Sequence, residues 1–290
     1  MNAASVTPSD LTITPRDRRF GRDEATPRWW HAGNPYASAL YNALSATFPD
    51  GEAFFVESVR QHREGVGERL AGEIKAFTTQ EVIHSREHLA FNRRAADAGY
   101  DLSLLEARVV ERLALTRSKP PIASLAATMA LEHFTAILAH ELLADPRHLA
   151  GADSATAALW RWHAAEEIEH KGVAYDTWLH ATRTWTRGKR WKVKAKVMLF
   201  ITRNFIVDPT AGALELLRQD GITGPRAIAG VLWFAWINPG MFRKIFAAWV
   251  GFFLPGFHPW NEDDRTLIAD YEISGEFAAA TPERRVRRTA

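Results

Sequence analysis

Two copies of one short pattern constrain this chain more than anything else in it: Glu81-Val82-Ile83-His84 and Glu167-Ile168-Glu169-His170, each a glutamate followed three residues later by a histidine. On an α-helix that spacing puts both side chains on one face. The second copy is the denser one. In WRWHAAEEIEHK, residues 160–171, His163, Glu166, Glu167 and His170 all share the face, with Trp160, Trp162 and two alanines around it. Carboxylates buried without partners cost several kcal/mol each, so a dry face of this kind calls for a compensating cation. Around the first copy, His88 extends the same face by one turn.

Two such helices make half of a recognisable centre. A carboxylate-bridged pair of metal ions inside four helices takes one glutamate from each of two helices and a Glu-x-x-His from each of the other two. Glu52 in PDGEAFF and Glu132 in MALEHFTAIL are the lone glutamates that precede the two copies in the right order. Glu132 interrupts an apolar run from Ala126 to Leu138, where a carboxylate needs a reason. Glu57 is the rival to Glu52, but the Ser, Arg, Gln and His that follow it give it an ordinary solvated face. Four carboxylates and two divalent ions cancel in charge, so such a core is near neutral when loaded and repulsive when empty.

The chain contains no cysteine, which excludes disulfides, thiolate zinc sites, iron–sulfur clusters and cysteine nucleophiles. The oxygen and imidazole ligands that remain favour iron, with manganese or zinc compatible. With 290 residues, 47% apolar and 24% charged, the composition is that of a globular domain. A net charge of +2 gives nucleic-acid binding no support. Residues 1–28 are polar and carry no signal-peptide pattern, so a loosely ordered start and a cytoplasmic protein are expected.

From Asn34 onward the pattern predicts helices and no alternating strand. Pro35 opens the first, and Pro49-Asp50-Gly51 is expected to separate it from the Glu52 segment. A long helix from about Glu68 to Ala98 carries the first Glu-x-x-His and stops at Gly99. Asp101 or Ser103 caps a shorter, solvated helix. Pro120-Pro121 starts the Glu132 helix and Asp145-Pro146 ends it. Asp153 or Ser154 caps the second Glu-x-x-His helix, which is expected to run on toward Thr184. The domain reading is a helical bundle over 29–184, an aromatic-rich helical lobe over 185–277 packed on it, and a basic, disordered tail over 278–290.

The lobe holds six of the eleven tryptophans, a basic stretch beginning RGKRWKVKAK, and an apolar run that Asn238-Pro239-Gly240 interrupts. Neither half of that run reaches the ~20 residues of a spanning helix, so a hairpin of two short apolar helices is expected. Lys192, Lys194 and Lys196 beside Trp191 also have the composition of a helix lying on an anionic membrane surface.

PDGEAFF, QEVIHSREHLAFN, LEHFTAIL and WRWHAAEEIEHK together resemble the bacterial family of predicted metal-dependent hydrolases, from about Trp29 to Tyr271. The ligand set is also similar to ferritin-like di-iron proteins. That resemblance implies an all-α, ferritin-like four-helix bundle with a C-terminal lobe. Within those proteins, His163 matches the extra histidine of the p-aminobenzoate N-oxygenase group. The implied metal ligands are Glu52, Glu81, His84, Glu132, His163, Glu167 and His170. His88 and Glu166 stand beside them as candidate catalytic residues.

Two chemistries follow from these residues. Two iron ions among carboxylates and apolar walls suit activation of dioxygen and oxidation of a small apolar substrate, with an electron donor as partner. The alternative is metal-dependent hydrolysis, by a metal pair or by one zinc on His84-Ser85-Arg86-Glu87-His88, which fits the inverted zinc-protease motif. The partners expected are a small, lipid-like substrate, the inner face of a membrane and a second copy in a homodimer, with no nucleic acid.

Overall fold

The computed structural model describes residues 7–21 and 25–273. Among them the fold is all-α, and the one extended pairing is an isolated antiparallel bridge between His31 and Ala152. The basic tail lies outside the described residues.

Local signals explain most helix limits. Helix α1 (Pro35–Ser45) is capped by Asn34, whose side chain accepts from the amides of Tyr36 and Ala37. Helix α2 (Phe48–Arg60) holds Pro49 in its first turn, where a missing amide costs nothing. Pro49-Asp50-Gly51 is therefore inside α2, and the break expected there falls instead at Ala46-Thr47. Helix α3 (Glu68–Asp97) gives way to Gly99 at a φ of 94°, which glycine adopts readily. Helix α4 spans Ser103–Arg117, with the Asp101 carboxylate accepting from the Ser103 amide.

Helix α5 (Pro121–Ala144) carries Glu132, and α6 (Ser154–His170) is capped by Asp153 on the Thr156 amide. Helix α6 does not run on toward Thr184. The chain breaks at Lys171-Gly172 before α7 (Val173–Ala181), because other segments press on Gly172: a Cβ there would sit 2.7 Å from Thr7 Oγ1 and 3.0 Å from Trp260 Nε1. Helix α8 (Arg187–Gln219) follows. The apolar run after it is more broken than a hairpin: α9 (Gly224–Leu232), a π turn at Trp233–Ile237, a cis Asn238–Pro239 bond, then α10 (Met241–Lys244) and α11 (Phe246–Gly251). Helix α12 spans Arg265–Ile273.

Four helices close a ring: α2 packs on α3, α3 on α6, α6 on α5, and α5 on α2. Helix α8 lies along α1 and α5, and one continuous apolar core joins the ring to the C-terminal helices. Helix α5 is long and apolar enough to cross a membrane by composition alone, but most of it is buried in this core.

Two expectations about the chain ends change. Residues 7–21 are packed: the amides of Thr14 and Arg16 donate to Glu169 and Glu166, and the Phe20 ring lies 5.3 Å from that of Trp162, tilted by 42°. Their mostly polar composition hid this, because backbone amides and one arginine make anchoring contacts beside the few apolar residues Leu11, Ile13 and Phe20. Lys194 is buried on the inner side of α8, donating to the Phe252 carbonyl at 2.6 Å among aromatic rings. Only Lys192 and Lys196 of the three lysines face outward.

Candidate metal centre

Each wall of the ring turns carboxylates or imidazoles inward: Glu52 from α2, Glu81, His84 and His88 from α3, Glu132 from α5, and His163, Glu167 and His170 from α6. All eight are buried. Their ligand atoms fall into overlapping groups within 4.8 Å of one another: Glu81, Glu132 and His170; Glu52, Glu81 and His84; His84, His163 and Glu167; Glu52, His88 and His163. Glu81 belongs to two of these groups. Glu167 Oε1 lies 3.5 Å from both His84 Nδ1 and His170 Nε2. These two glutamates therefore stand between a Glu132–His170 end and a Glu52–His163 end.

The hydrogen bonds behind the three inner histidines decide which nitrogen faces the centre. Hydrogen positions here follow from the network. Gln80 Nε2 donates to Glu169 Oε2 (2.9 Å) and the Thr14 carbonyl, which leaves its oxygen to accept from His170 Nδ1–H at 3.0 Å. His170 Nε2 is then a lone pair, 3.2 Å from Glu81 Oε1 and 3.5 Å from Glu132 Oε2 and aligned with neither as a hydrogen bond. His84 Nε2–H donates to Glu166 Oε2 at 3.0 Å, so His84 Nδ1 is the inward atom.

For His163 the chain of bonds is longer. Asn92 Nδ2 donates to the Ser45 carbonyl, so Asn92 Oδ1 accepts from Ser45 Oγ–H at 2.7 Å. Ser45 Oγ can then only accept from His88 Nδ1–H (2.8 Å), and His88 Nε2 accepts from His163 Nδ1–H (2.6 Å). The reverse order would turn the Asn92 carbonyl onto that of Ser45. His163 Nε2 is left as a lone pair 2.8 Å from Glu167 Oε1.

Carboxylate atoms are orphaned in the same volume. Both oxygens of Glu81 and of Glu132, Glu52 Oε1 and Glu167 Oε2 are buried without a hydrogen-bond donor. Glu52 Oε2 accepts from Ser85 Oγ at 2.8 Å. Burial pushes the Glu52 carboxyl up to about 8, with His84 and Ser85 opposing and Glu167 adding to the rise. Burial, reinforced by neighbouring carboxylates, holds Glu81 and Glu132 well above their ordinary range. Burial opposes charge on His84 too, yet Glu166 and Glu167 push it up to about 10. Burial and the His84 charge drive His163 down to about 4.

Three inward imidazole nitrogens, lone pairs on His163 and His170 and the Nδ1 of His84 once its proton is displaced, face orphaned carboxylate oxygens and form a donor set that fits divalent metal. Seven residues would hold it: Glu52, Glu81, His84, Glu132, His163, Glu167 and His170. The two candidate catalytic residues take outer places. Glu166 is not turned to the centre but lies behind His84, where the Arg16 amide (3.0 Å) and guanidinium (3.4 Å) donate to it. His88 lies behind His163.

Glu57 is exposed and paired with Arg117 at 2.9 Å, while Glu52 faces the ring. Glu87, the water-activating residue of the inverted protease motif, accepts from the Phe20 amide and from Arg86 Nε at 2.7 Å, outside the four groups above. The sequence pattern missed Thr14, Arg16, Ser45, Gln80, Asn92 and Glu169. Only Gln80, one turn behind His84, shares a spacing that hints at its role.

An apolar cavity of about 70 Å³ abuts one end of the cluster. His163 and Glu167 form its floor, and Leu44, Phe48, Trp160 and Phe205 are among its walls.

The model of a family described as predicted metal-dependent hydrolase matches residues 14–263. Neither the curated proteins nor the solved structures contain a match.

Proposed function

Because this chain belongs to the predicted metal-dependent hydrolase family, we propose that the ring of α2, α3, α5 and α6 is a two-metal active centre that hydrolyses a small, largely apolar organic molecule. The observation that carries the reading is the convergence of three inward imidazole nitrogens on carboxylate oxygens that have no donor. A metal pair so held would supply Lewis acidity and an acidified water.

The protein's own residues would do the rest. Glu166, Gln80 and His88 orient the three imidazoles, as outer partners of metal-bound histidines do. The cavity over His163 and Glu167 admits an apolar group and excludes bulk water.

A second reading is favoured by one observation, the carboxylate-rich, aromatic-walled ligand set on four helices. It has the make-up of ferritin-like di-iron proteins and suits oxygen activation with iron and an electron donor. One experiment separates the two. Zinc-loaded protein that turns over esters or amides, with iron-loaded protein indifferent to oxygen, supports hydrolysis. Oxygen consumption by the ferrous form alone, with the zinc form inert, replaces hydrolysis with oxidation.

A further inference from the structure

A second, larger cavity lies beside the first. It has a volume of about 490 Å³, within the range of ligand chambers, and runs between α4, α5 and α8. The two cavities share Phe48 and Phe205 as walls. Phe48 is half-buried, and its ring stands 5.0 Å from that of His163 and 4.6 Å from that of His88. Phe48 thus stands between the outer chamber and the histidine end of the metal centre.

The outer chamber is polarised. Its inner part is apolar, with Leu105, Leu113, Leu131 and Ile201, while its polar groups include Arg108, Arg112, Lys119 and Asp208. Arg112 pairs with Asp208 at 3.2 Å. Among the described residues no acid lies within ion-pair distance of Arg108 or Lys119, so the chamber keeps a surplus of positive charge with no internal partner. Exposed Leu115 and Phe200 also line it.

We propose that this chamber binds a molecule with one long aliphatic chain and a terminal carboxylate. Arg108 and Lys119 stand about three helical turns apart, on α4 and just past its end; one of them takes the carboxylate, and the chain runs inward against Phe48. The apolar interior takes the chain out of water. The unpaired cations provide the charge that a carboxylate needs and an alcohol does not. The proposal rests on the reading of the centre only for its chemistry, the bond hydrolysed then being an ester or amide carried at the end of the chain remote from the carboxylate. Binding itself needs no metal, so the two ideas fail separately.

The test is calorimetric titration of the purified full-length protein with palmitate, hexadecanol and acetate below their aggregation limits. Palmitate binds one per chain, acetate does not bind, and hexadecanol binds about tenfold more weakly for want of the charge-assisted contacts. Arg108→Glu with Lys119→Glu brings palmitate down to the level of hexadecanol and leaves hexadecanol and metal content unchanged. Val109→Trp, at a half-buried lining position, reduces both ligands together. Phe48→Ala joins the two chambers and lengthens the longest chain accepted. Equal affinity for palmitate and hexadecanol, or palmitate binding that ignores both the double charge reversal and Val109→Trp, overturns the proposal.

Discussion

His163 Nε2 stands 2.8 Å from Glu167 Oε1, and the hydrogen bond that His163 gives to His88 through Nδ1 leaves no proton between the two atoms. Two acceptors held that close are stable only with positive charge shared between them. The order of donors running from Asn92 through Ser45 and His88 therefore works at the metal centre without touching it. His88→Ala and Ser45→Ala are expected to weaken metal binding by about 10- to 100-fold, the usual cost of losing a partner behind a ligand. Competition against a colorimetric chelator measures it, and cobalt-substituted protein should show an altered visible spectrum. Unchanged affinity and spectrum in both variants would remove His88 from any positioning role.

The metal-free protein should lose stability as pH rises above about 7. Glu52, at about 8 when folded against an ordinary 4.5, binds a proton in the folded state that the unfolded chain has released. Glu81 and Glu132 shift the same way. The stability these protons contribute is complete below about 4.5 and is lost as pH climbs through the folded values. His84, at about 10, adds to the fall at higher pH. His88 and His163 are neutral in both states above the ordinary histidine range and add no slope there. Thermal melts of chelator-treated protein should decline between about pH 7 and 9, and added metal should restore them with release of protons. A flat profile would mean that the glutamates are already ionised without metal.

Arg16 ties the N-terminal segment to the back of the centre, with Nη2 2.6 Å from Glu169 and Nη1 3.4 Å from Glu166. Removing it leaves two buried carboxylates short of their cation. Arg16→Ala is expected to destabilise the fold by roughly 3 kcal/mol. Arg16→Lys should recover only part, because an ammonium cannot reach both acids in the planar fork of arginine. Denaturant titration gives the value. A loss under 1 kcal/mol, on the scale of an exposed pair, would show that the segment is held by its backbone bonds alone.

Much of this centre was legible in the sequence because metal-ligand spacing survives translation into a helix face. Glu81 with His84 and Glu167 with His170 needed only the helical repeat, and Glu132 stood out as a charge in an apolar run. What spacing could not show was the outer network. Ser45 meets both His88 and Asn92 across more than forty residues, and Thr14 and Arg16 reach Glu169 and Glu166 from a stretch with few apolar residues. Hydrophobic periodicity carries no trace of a contact made by a backbone amide. The end of α6 at His170 was hidden for a similar reason, since Gly172 is required by Thr7 and Trp260, both distant in sequence.

The outer side of α8 is a stripe of Lys192, Lys196, Leu199, Phe200, Arg203 and Val207, all exposed and one or two turns apart. Basic and apolar residues mixed on one exposed face suit attachment to an anionic lipid surface. Sedimentation with anionic vesicles at low salt is expected, and Lys192→Glu with Lys196→Glu should weaken it by about 1 kcal/mol per charge removed or more. Lys194→Glu is not the test, because that side chain is buried and its loss would disturb the core. Protein that stays in the supernatant at low salt, with or without the change, would leave α8 as a plain surface helix.

The most direct measurement is the metal content of the purified protein, by elemental analysis, alongside Glu132→Ala and His88→Ala. A two-metal centre predicts two ions per chain, with Glu132→Ala losing at least one. His88→Ala should weaken affinity while leaving the maximum at two. One tightly held zinc per chain, indifferent to Glu132→Ala and abolished by His88→Ala, would contradict the two-metal centre and return the chain to the single-zinc motif of His84, Glu87 and His88.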